Sequence, residues 1–322
     1  MAKPRLIYYP ILSWRPENMA VVHDAFEVIE RETPDAVEAD LLADVEASCA
    51  PLGFRFDAAR MNRAQKLKAI LTNTTGVPHI DMDAAAARGL RVFSLKDEQA
   101  FLDTITPTAE HTWGLLLALM RRVPWCFEDV KAGRWNRFDW GAPHMLSRRS
   151  LGVIGYGRLG RRVARYGDAF DMPVRFYDPF QTGDGTAEKV DSLNDLVGLS
   201  DIVSLHVPAG PDTLGLIGAD VIAAFRPGSL FVNTARAELV DEAALLAALE
   251  AGHIAGYAAD VLDGEFDPAF RAAEHPLVRF AQTHDRVLLT PHIGGSTVDA
   301  WTETQRRVID MAVAFFAGEA TP

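Results

Sequence analysis

The sequence predicts an α/β protein with two domains, the larger of which is a doubly wound parallel sheet covered by helices. Three observations support this prediction. The chain has 322 residues, too many for one ordinary hydrophobic core and enough for two domains of about 100–200 residues each. Short β-branched runs alternate with helical patterns along most of the chain. One such run ends in a glycine-rich turn that opens a helix.

The N-terminal part predicts a smaller α/β domain. Its strand candidates are Arg5–Tyr9, Ala69–Thr72 and Leu90–Phe93, with a helical pattern at Asp83–Arg88. The character of the chain changes near residue 104. There Thr106-Pro107 is typical of an N-cap followed by a first-turn proline, and a long amphipathic helix continues to about residue 122.

The alternation is stronger beyond residue 150. The predicted strands of this part are Leu151–Gly155, Val174–Tyr177, Asp201–Val207, Leu230–Thr234, Ile254–Val261 and Val287–Leu289. A final helix is predicted over Val298–Phe316. We therefore expect the doubly wound domain at residues 104–295. Residues 1–103 and 296–322 are expected to form the second domain, with a cleft between the two.

Composition and charge exclude several functions. The 32 Lys and Arg against 44 Asp and Glu give a net charge of −12, which argues against a nucleic-acid partner. The only cysteines are Cys49 and Cys126, so neither a disulfide framework nor a metal site is expected. The N-terminal stretch lacks the long apolar segment and the small-residue cleavage site typical of a signal peptide. The most apolar helix candidate, Thr112–Met120, is far shorter than the roughly 20 residues of a membrane span. We expect a cytoplasmic protein without a membrane partner.

The turn from Gly155 to Gly160 is the pattern that cradles a dinucleotide pyrophosphate. Gly155 permits the tight turn, Gly157 lets the backbone approach the phosphates, and Gly160 lets the helix pack closely on its strand. The helix N-terminus, which includes Arg158 and Leu159, directs its N–H groups at the phosphates. The sequence therefore predicts a dinucleotide-binding site at this turn.

Asp178 ends the strand that follows the glycine turn. A carboxylate at this position can accept hydrogen bonds from both ribose hydroxyls of NAD, and it repels the additional phosphate of NADP. Pro179 follows, where an arginine would favour the phosphate. The predicted cofactor is NAD.

Three polar residues follow predicted strands of the second part, where ligands bind in open α/β sheets. They are Arg236, Glu265 and His292. Hydride transfer to a ketone needs a proton donor active near neutral pH and a cation for an adjacent carboxylate. Histidine suits the first role, a neighbouring glutamate orients its ring, and arginine binds carboxylates bidentately. We therefore predict Arg236, Glu265 and His292 as catalytic residues.

At this point the sequence resembles the D-isomer-specific 2-hydroxyacid dehydrogenase family. The resemblance covers most of the chain in ordered blocks. Besides the glycine turn these are Gly76–Asp81, Thr108–Thr112, Leu205–Pro208, Asn233–Arg236, Asp260–Glu265 and Thr290–Thr297. The resemblance implies a second domain that is flavodoxin-like and binds substrate.

The resemblance also implies roles for individual residues. The implied cofactor-binding residues beyond the glycine turn and Asp178 are His206, Val207, Pro208, Thr213, Thr234, Ala235, Asp260 and Gly294. Backbone amides of Thr75, Gly76 and Val77 would bind the substrate carboxylate together with Arg236. Family members are usually dimers joined through the helix that here begins near Thr108 and an arm through Trp135, so a homodimer is expected.

Several positions depart from the family pattern. Ala237 stands where many members have glycine, and alanine would cost about 1–2 kcal/mol if that position needs a positive φ. Pro78-His79 replaces the usual Asp-Asn. Thr72–Thr75 stands where phosphoglycerate enzymes commonly carry an arginine, which argues against a phosphorylated substrate. The sequence ends at Pro322, so we expect no regulatory domain of the kind that long phosphoglycerate dehydrogenases carry.

The expected function is the NAD-dependent interconversion of a small (R)-2-hydroxy acid and its 2-keto acid. Two alternatives stay open. One is phosphite oxidation on the same fold; formate oxidation is disfavoured because formate enzymes of this fold have glutamine where Glu265 stands. The other is an NAD(H)-sensing binding protein similar to the corepressors that share this fold.

Overall fold

The computed structural model of the protein describes residues 2–267 and 269–319. The chain divides into two compact units. Unit 1 comprises Met1–Ile105, Phe266–Pro268 and Ser296–Pro322, and unit 2 comprises Thr106–Glu265 and Ala269–Gly295. Within the described ranges no helix is long and apolar enough to cross a membrane.

Strands and helices alternate along both units. The strands are β1 (Arg5–Tyr8), β2 (Glu27–Glu30), β3 (Ala47–Cys49), β4 (Ala69–Leu71), β5 (Arg91–Phe93), β6 (Leu151–Ile154), β7 (Val174–Tyr177), β8 (Glu188–Lys189), β9 (Ile202–Leu205), β10 (Ser229–Asn233), β11 (Ile254–Ala259) and β12 (Val287–Leu289). The α-helices are α1 (Pro16–Ala25), α2 (Ala39–Asp44), α3 (Ala58–Arg63), α4 (Met82–Ala87), α5 (Gln99–Leu102), α6 (Pro107–Met120), α7 (Val123–Lys131), α8 (Arg158–Ala169), α9 (Leu193–Leu199), α10 (Ala219–Ala224), α11 (Glu242–Glu250), α12 (Pro276–Ala281) and α13 (Val298–Ala317).

Unit 1 contains a parallel sheet with the order β2-β1-β3-β4-β5. This is the flavodoxin-like order. The apolar side of α13 completes its core, because Val308, Ile309 and Ala312 are fully buried with the β1 residues Leu6 and Ile7. Helix α13 also joins α1 through polar contacts: the Asn18 side-chain amide donates to the Thr302 carbonyl at 2.9 Å.

Unit 2 contains a seven-stranded parallel sheet with the order β12-β11-β10-β9-β6-β7-β8. The central strands β6 and β9 are buried at every position and apolar except for Ser204, as expected for strands covered by helices on both faces. The strand order reverses between β6 and β9, which is where open α/β sheets bind their ligands. The predicted fold class, two parallel α/β sheets of which one is doubly wound, is confirmed.

The strands β10, β11 and β12 are neighbours in this sheet and run parallel. The segments that follow them therefore meet at one edge of the sheet. Helix α6 packs against all three strands. It begins at Pro107 as predicted, but the Thr106 hydroxyl donates to the Glu110 carboxylate and makes no capping bond to the backbone.

Candidate active site

The glycine turn of unit 2 has the geometry that a pyrophosphate requires. Gly155 has a φ of 85°, and a Cβ at this position would lie 2.8 Å from the carbonyl oxygen of His206. A Cβ at Gly160 would overlap the carbonyl oxygen of Gly155. At Gly157 a Cβ would meet no heavy atom within 4 Å, so the backbone is open to an approaching group at the N-terminus of α8. The residues present therefore fit a dinucleotide.

Asp178 follows β7 and is held by three backbone amides. Its Oδ2 accepts from Tyr156 N at 2.8 Å, and its Oδ1 accepts from Phe180 N at 2.8 Å and Gln181 N at 3.2 Å. The carboxylate is partly exposed, and an ionised carboxylate has about four acceptor positions. It can therefore still accept a hydrogen bond from a hydroxyl.

The loop after β9 contains four of the predicted cofactor residues. His206 Nε2 lies 2.8 Å from Ser204 Oγ, and burial lowers the pKa of His206 to about 4. The imidazole is therefore neutral near pH 7. Thr213 donates to the Pro208 carbonyl at 2.8 Å, which closes the loop, while Val207 is partly buried beside Gly155.

Arg236 lies in a short segment that the Asn233 side chain holds. Asn233 Oδ1 accepts from Ala235 N, and its Nδ2 donates to the Arg236 carbonyl, both at 2.9 Å. The Arg236 guanidinium donates to the Ala235 carbonyl at 2.6 Å. Ala237 begins a 3₁₀ helix and does not adopt a positive φ. The strain considered for alanine at this position is therefore absent.

Glu265 and His292 form a hydrogen-bonded pair, with His292 Nδ1 2.8 Å from Glu265 Oε1. Their side chains are 16% and 31% exposed, so the pair is partly open to solvent. His292 has a φ of 52°, in the left-handed region that non-glycine residues rarely adopt. Such strain persists only where the surroundings hold it, and it clusters at functional sites.

Asp260 is the residue that holds the His292 loop. Asp260 is buried, with only 2% of the residue exposed. Oδ1 accepts from Thr290 Oγ1 at 2.6 Å and Ile293 N at 2.9 Å, and Oδ2 accepts from Gly294 N at 2.6 Å. The Asp260 carbonyl also accepts from His292 N at 2.9 Å. A Cβ at Gly294 would lie 2.8 Å from Asp260 Oδ2, so this close approach requires glycine.

Two residues of this network were not singled out from the sequence. His111 of α6 places Nε2 2.9 Å from Thr290 Oγ1 and 3.3 Å from Asp260 Oδ1. Both residues lie in blocks that resemble the family, and this resemblance could have identified them. His111 lies in the block Thr108–Thr112, and Thr290 begins the block that contains His292. The contacts of His111 with Thr290 and Asp260 could not be predicted, because these residues are distant from His111 in the sequence.

The predicted residues Thr234 and Ala235 end the β10 segment. Thr234 is buried, and its hydroxyl lies 2.7 Å from that of Thr112 on α6. Thr112 in turn donates to the Thr108 carbonyl at 2.7 Å. Thr234 therefore fixes the strand end to α6, and Ala235 is the partly exposed residue at the edge.

The predicted substrate residues Thr75, Gly76 and Val77 belong to unit 1, in the loop after β4. Thr75 and Gly76 are exposed, and the Gly76 carbonyl accepts from the Thr74 hydroxyl at 2.7 Å. His79 is buried, with Nε2 3.2 Å from the Ala50 carbonyl, and burial lowers its pKa. His79, one of the positions that depart from the family pattern, thus makes a contact inside unit 1.

Arg236, Glu265 and His292 thus lie in the segments that follow β10, β11 and β12, at the carboxyl ends of three neighbouring strands of unit 2. Residues 113–294 match the model of the D-isomer specific 2-hydroxyacid dehydrogenase NAD binding domain, which is more than half of the chain. The chain belongs to this family.

Relatives with known names agree with this membership. The chain is 40% identical over 241 residues to the D-3-phosphoglycerate dehydrogenase of Escherichia coli K12, which covers 74% of the chain and 56% of that protein. It is 34% identical over 313 residues to the enzyme of the same name from Mycobacterium tuberculosis H37Rv, covering 95% of the chain and 56% of that protein. The chain thus spans little more than half the length of these relatives.

Two solved structures are similar to nearly the whole chain. D-lactate dehydrogenase from Aquifex aeolicus, complexed with NAD and lactic acid, has a TM-score of 0.84 at 27% identity, covering 98% of this chain and 96% of that one. An NADPH-dependent glyoxylate/hydroxypyruvate reductase from Sinorhizobium meliloti has a TM-score of 0.82 at 28% identity, covering 99% and 96%.

Proposed function

We propose that this family member interconverts a small (R)-2-hydroxy acid and its 2-keto acid, with NAD as the hydride carrier. The observation that carries the proposal is the Glu265–His292 pair, 2.8 Å between Oε1 and Nδ1, beside the edge of the sheet where Arg236 follows β10. An oriented imidazole and a guanidinium are the two groups that reduction of a 2-keto acid needs from the protein.

The glycine turn and Asp178 would hold the cofactor. Bound NAD(H) supplies the hydride acceptor or donor at its nicotinamide ring. The open backbone at Gly157 and the start of α8 suit the pyrophosphate, and Asp178 suits the ribose hydroxyls of NAD. The neutral His206 with Val207 and Pro208 would form the adenine side, and Thr213, Thr234, Ala235, Asp260 and Gly294 complete the proposed cofactor-binding set.

The catalytic residues divide the remaining work. Glu265 accepts the hydrogen on His292 Nδ1, which selects one tautomer and leaves Nε2 as the nitrogen that exchanges a proton. In reduction His292 gives this proton to the substrate oxygen, and in oxidation it takes the proton back. Arg236 would bind the substrate carboxylate and keto oxygen, assisted by the amides of Thr75, Gly76 and Val77.

We propose an unphosphorylated substrate. The loop from Thr72 to His79 contains neither lysine nor arginine. Thr72 is buried, and its hydroxyl lies 3.1 Å from that of Thr74, so its side chain stabilises the loop by an internal hydrogen bond. Binding a phosphate as well as a carboxylate would need additional cations, which this loop does not supply.

We also propose a cytoplasmic homodimer. Large apolar side chains are exposed on α7 and the segment after it, including Phe127 at 60% and Trp135 at 88%. Exposed apolar patches of this kind mark protein interfaces. Light scattering after size exclusion should give twice the mass of the chain, and Phe127→Asp with Trp135→Asp should give a monomer. A wild-type monomer at micromolar concentration would contradict the proposal.

The function is tested with a panel of 2-keto acids, following NADH and NADPH side by side by absorbance at 340 nm. We expect turnover of at least one small unphosphorylated 2-keto acid, with NADH preferred. Oxidation of phosphite alone would establish the first alternative. Tight NADH binding without turnover of any panel member would favour a sensing protein instead.

A further inference from the structure

A second carboxylate–imidazole pair lies in unit 2 and has no part in the proposed chemistry. Glu242 Oε2 is 3.0 Å from His275 Nε2, and the two side chains are only 13% and 9% exposed. Glu242 is the first residue of α11, and His275 immediately precedes α12. The cap of α11 is supplied by Asp241, whose side chain accepts from Ala244 N at 3.0 Å. Glu242 is therefore not needed as a cap.

The buried pair is connected to the turn that carries Glu265. Glu242 Oε1 accepts from the backbone N of Asp263 at 3.2 Å. Asp263 lies in the turn Leu262–Glu265, which is closed by a bond from Glu265 N to the Leu262 carbonyl at 3.2 Å. Gly264 takes a φ of 72° in this turn. Within the described part of the chain, the turn thus has an internal bond, and the Glu242 side chain anchors its Asp263 amide.

The surroundings of Glu242 are acidic. Asp263 and Glu265 face it from the turn, Glu238 from the 3₁₀ helix, Tyr257 from β11, and His275 from the start of α12. Burial, followed by the charges of Asp263, Glu265 and Glu238, raises the pKa of Glu242 to about 7. Burial lowers the pKa of His275. Near neutral pH the pair therefore gains or loses its negative charge beside Glu265.

We propose that Glu242 and His275 are positioning residues that hold the Leu262–Glu265 turn, so that Glu265 stays in hydrogen-bonding contact with His292. A carboxylate removed from this position leaves the Asp263 amide without its acceptor and leaves buried His275 without its partner. Both changes loosen the turn. The effect on rate rests on the proposed function, whereas the effect on the turn does not.

Three variants separate positioning from general stabilisation. Glu242→Ala removes the anchor, and we expect kcat to fall about 10- to 100-fold while the KM for NADH stays within about twofold. Glu242→Gln keeps an acceptor for Asp263 N and should restore most of kcat. Glu250→Ala, at the exposed end of the same helix, is the matched control and should behave like wild type.

The pH profile supplies a readout that a purely structural role would not change. Glutamine cannot ionise, so the ratio of Glu242→Gln to wild-type kcat should change between pH 6 and pH 8, around the pKa of Glu242. A constant ratio, or a Glu242→Gln variant as impaired as Glu242→Ala, would overturn the proposal. An unchanged kcat in Glu242→Ala would do the same.

Hydrogen exchange gives a second readout that requires no turnover. In the cofactor-free protein the Asp263 amide should exchange at least tenfold faster in Glu242→Ala than in wild type or Glu250→Ala. If no keto acid is turned over but this acceleration is seen, the proposed function fails and the positioning role survives. If Glu242→Ala does not fold, His275→Ala replaces it. Glu242 then loses its second contact, so the Asp263 amide should exchange faster than in wild type, and wild-type exchange in that variant would refute the proposal.

Discussion

The two carboxylate–imidazole pairs of unit 2 have similar geometry and different surroundings. Glu265–His292 and Glu242–His275 have N···O distances of 2.8 Å and 3.0 Å. The His292 side chain is 31% exposed, whereas that of His275 is 9% exposed. His292 also has a strained backbone and a loop clamped by Asp260, while His275 has extended backbone before a helix. In our proposals the more exposed pair Glu265–His292 (the open pair) exchanges a proton, and the buried pair Glu242–His275 (the closed pair) holds a loop in position.

The largest effect should come from replacing the two histidines separately. We expect His292→Gln to lower kcat by about 10²- to 10⁴-fold, because it removes the proposed general acid, with NADH affinity retained. His275→Gln should lower kcat by no more than about tenfold, since it disturbs position alone. Steady-state kinetics with NADH titration by fluorescence measures both. Equal losses of kcat in the two variants would contradict the different roles proposed for the open and closed pairs.

The clamp on the open pair should give the next largest effect. In Asp260→Asn one carboxylate oxygen becomes an NH₂ group, which cannot accept a hydrogen bond, so Thr290 and Gly294 cannot both keep their acceptors. We expect kcat to fall about 10- to 100-fold and stability to fall by about 1–3 kcal/mol. Urea unfolding and kinetics measure the two losses, with exposed Asp220→Asn as the control. A fully active Asp260→Asn variant would show that the His292 loop does not depend on this carboxylate.

The smallest expected effect is on the pH dependence of folding, and it concerns the closed pair. The folded-state pKa of Glu242 is about 7, raised from an ordinary value of 4.5. The unfolded chain therefore releases this proton first, and the stability that the protonated group contributes is lost as pH rises from about 4.5 through 7. The loss of stability between pH 5 and 8 should be smaller in Glu242→Gln than in wild type.

His275 contributes with the opposite sign. Burial lowers its pKa, so the folded protein resists protonation and loses stability as pH falls through the ordinary value of 6.5. Urea unfolding midpoints measured at half-unit pH intervals would separate the loss of stability at higher pH, due to Glu242, from the loss at lower pH, due to His275. Identical curves for wild type and Glu242→Gln would contradict a link between ionisation of the closed pair and folding.

Much of the fold follows from local sequence patterns. Strands such as Leu151–Ile154 and Ile202–Leu205 are short, mostly apolar and bounded by turn residues, and they were predicted to within two residues. The strands β2, β3 and β8 were missed. Glu27–Glu30 has a glutamate at each end, Ala47–Cys49 has three residues, and Glu188–Lys189 is an exposed two-residue edge. These segments are strands because a neighbouring strand pairs with them.

The candidate site, like the fold, could be predicted from the sequence only in part. The glycine turn and the residues after β10, β11 and β12 could be identified because they stand beside readable strands. The clamp of His111, Thr290 and Asp260 could not, since His111 comes from a helix about 150 positions earlier in the chain. Nor could the pairing of Glu242 with His275, because no local pattern distinguishes these residues from a first-turn glutamate and a surface histidine.

By itself the sequence determined the parallel α/β architecture, the family and the dinucleotide turn, and it led to the proposal of Arg236, Glu265 and His292 as catalytic residues. These depend on residue type and on spacing within one strand and its following turn. The tertiary structure decided which histidine is open and which is closed, and that Ala237 needs no positive φ. Those properties depend on burial and on partners distant in the chain, which arise only when the elements pack together.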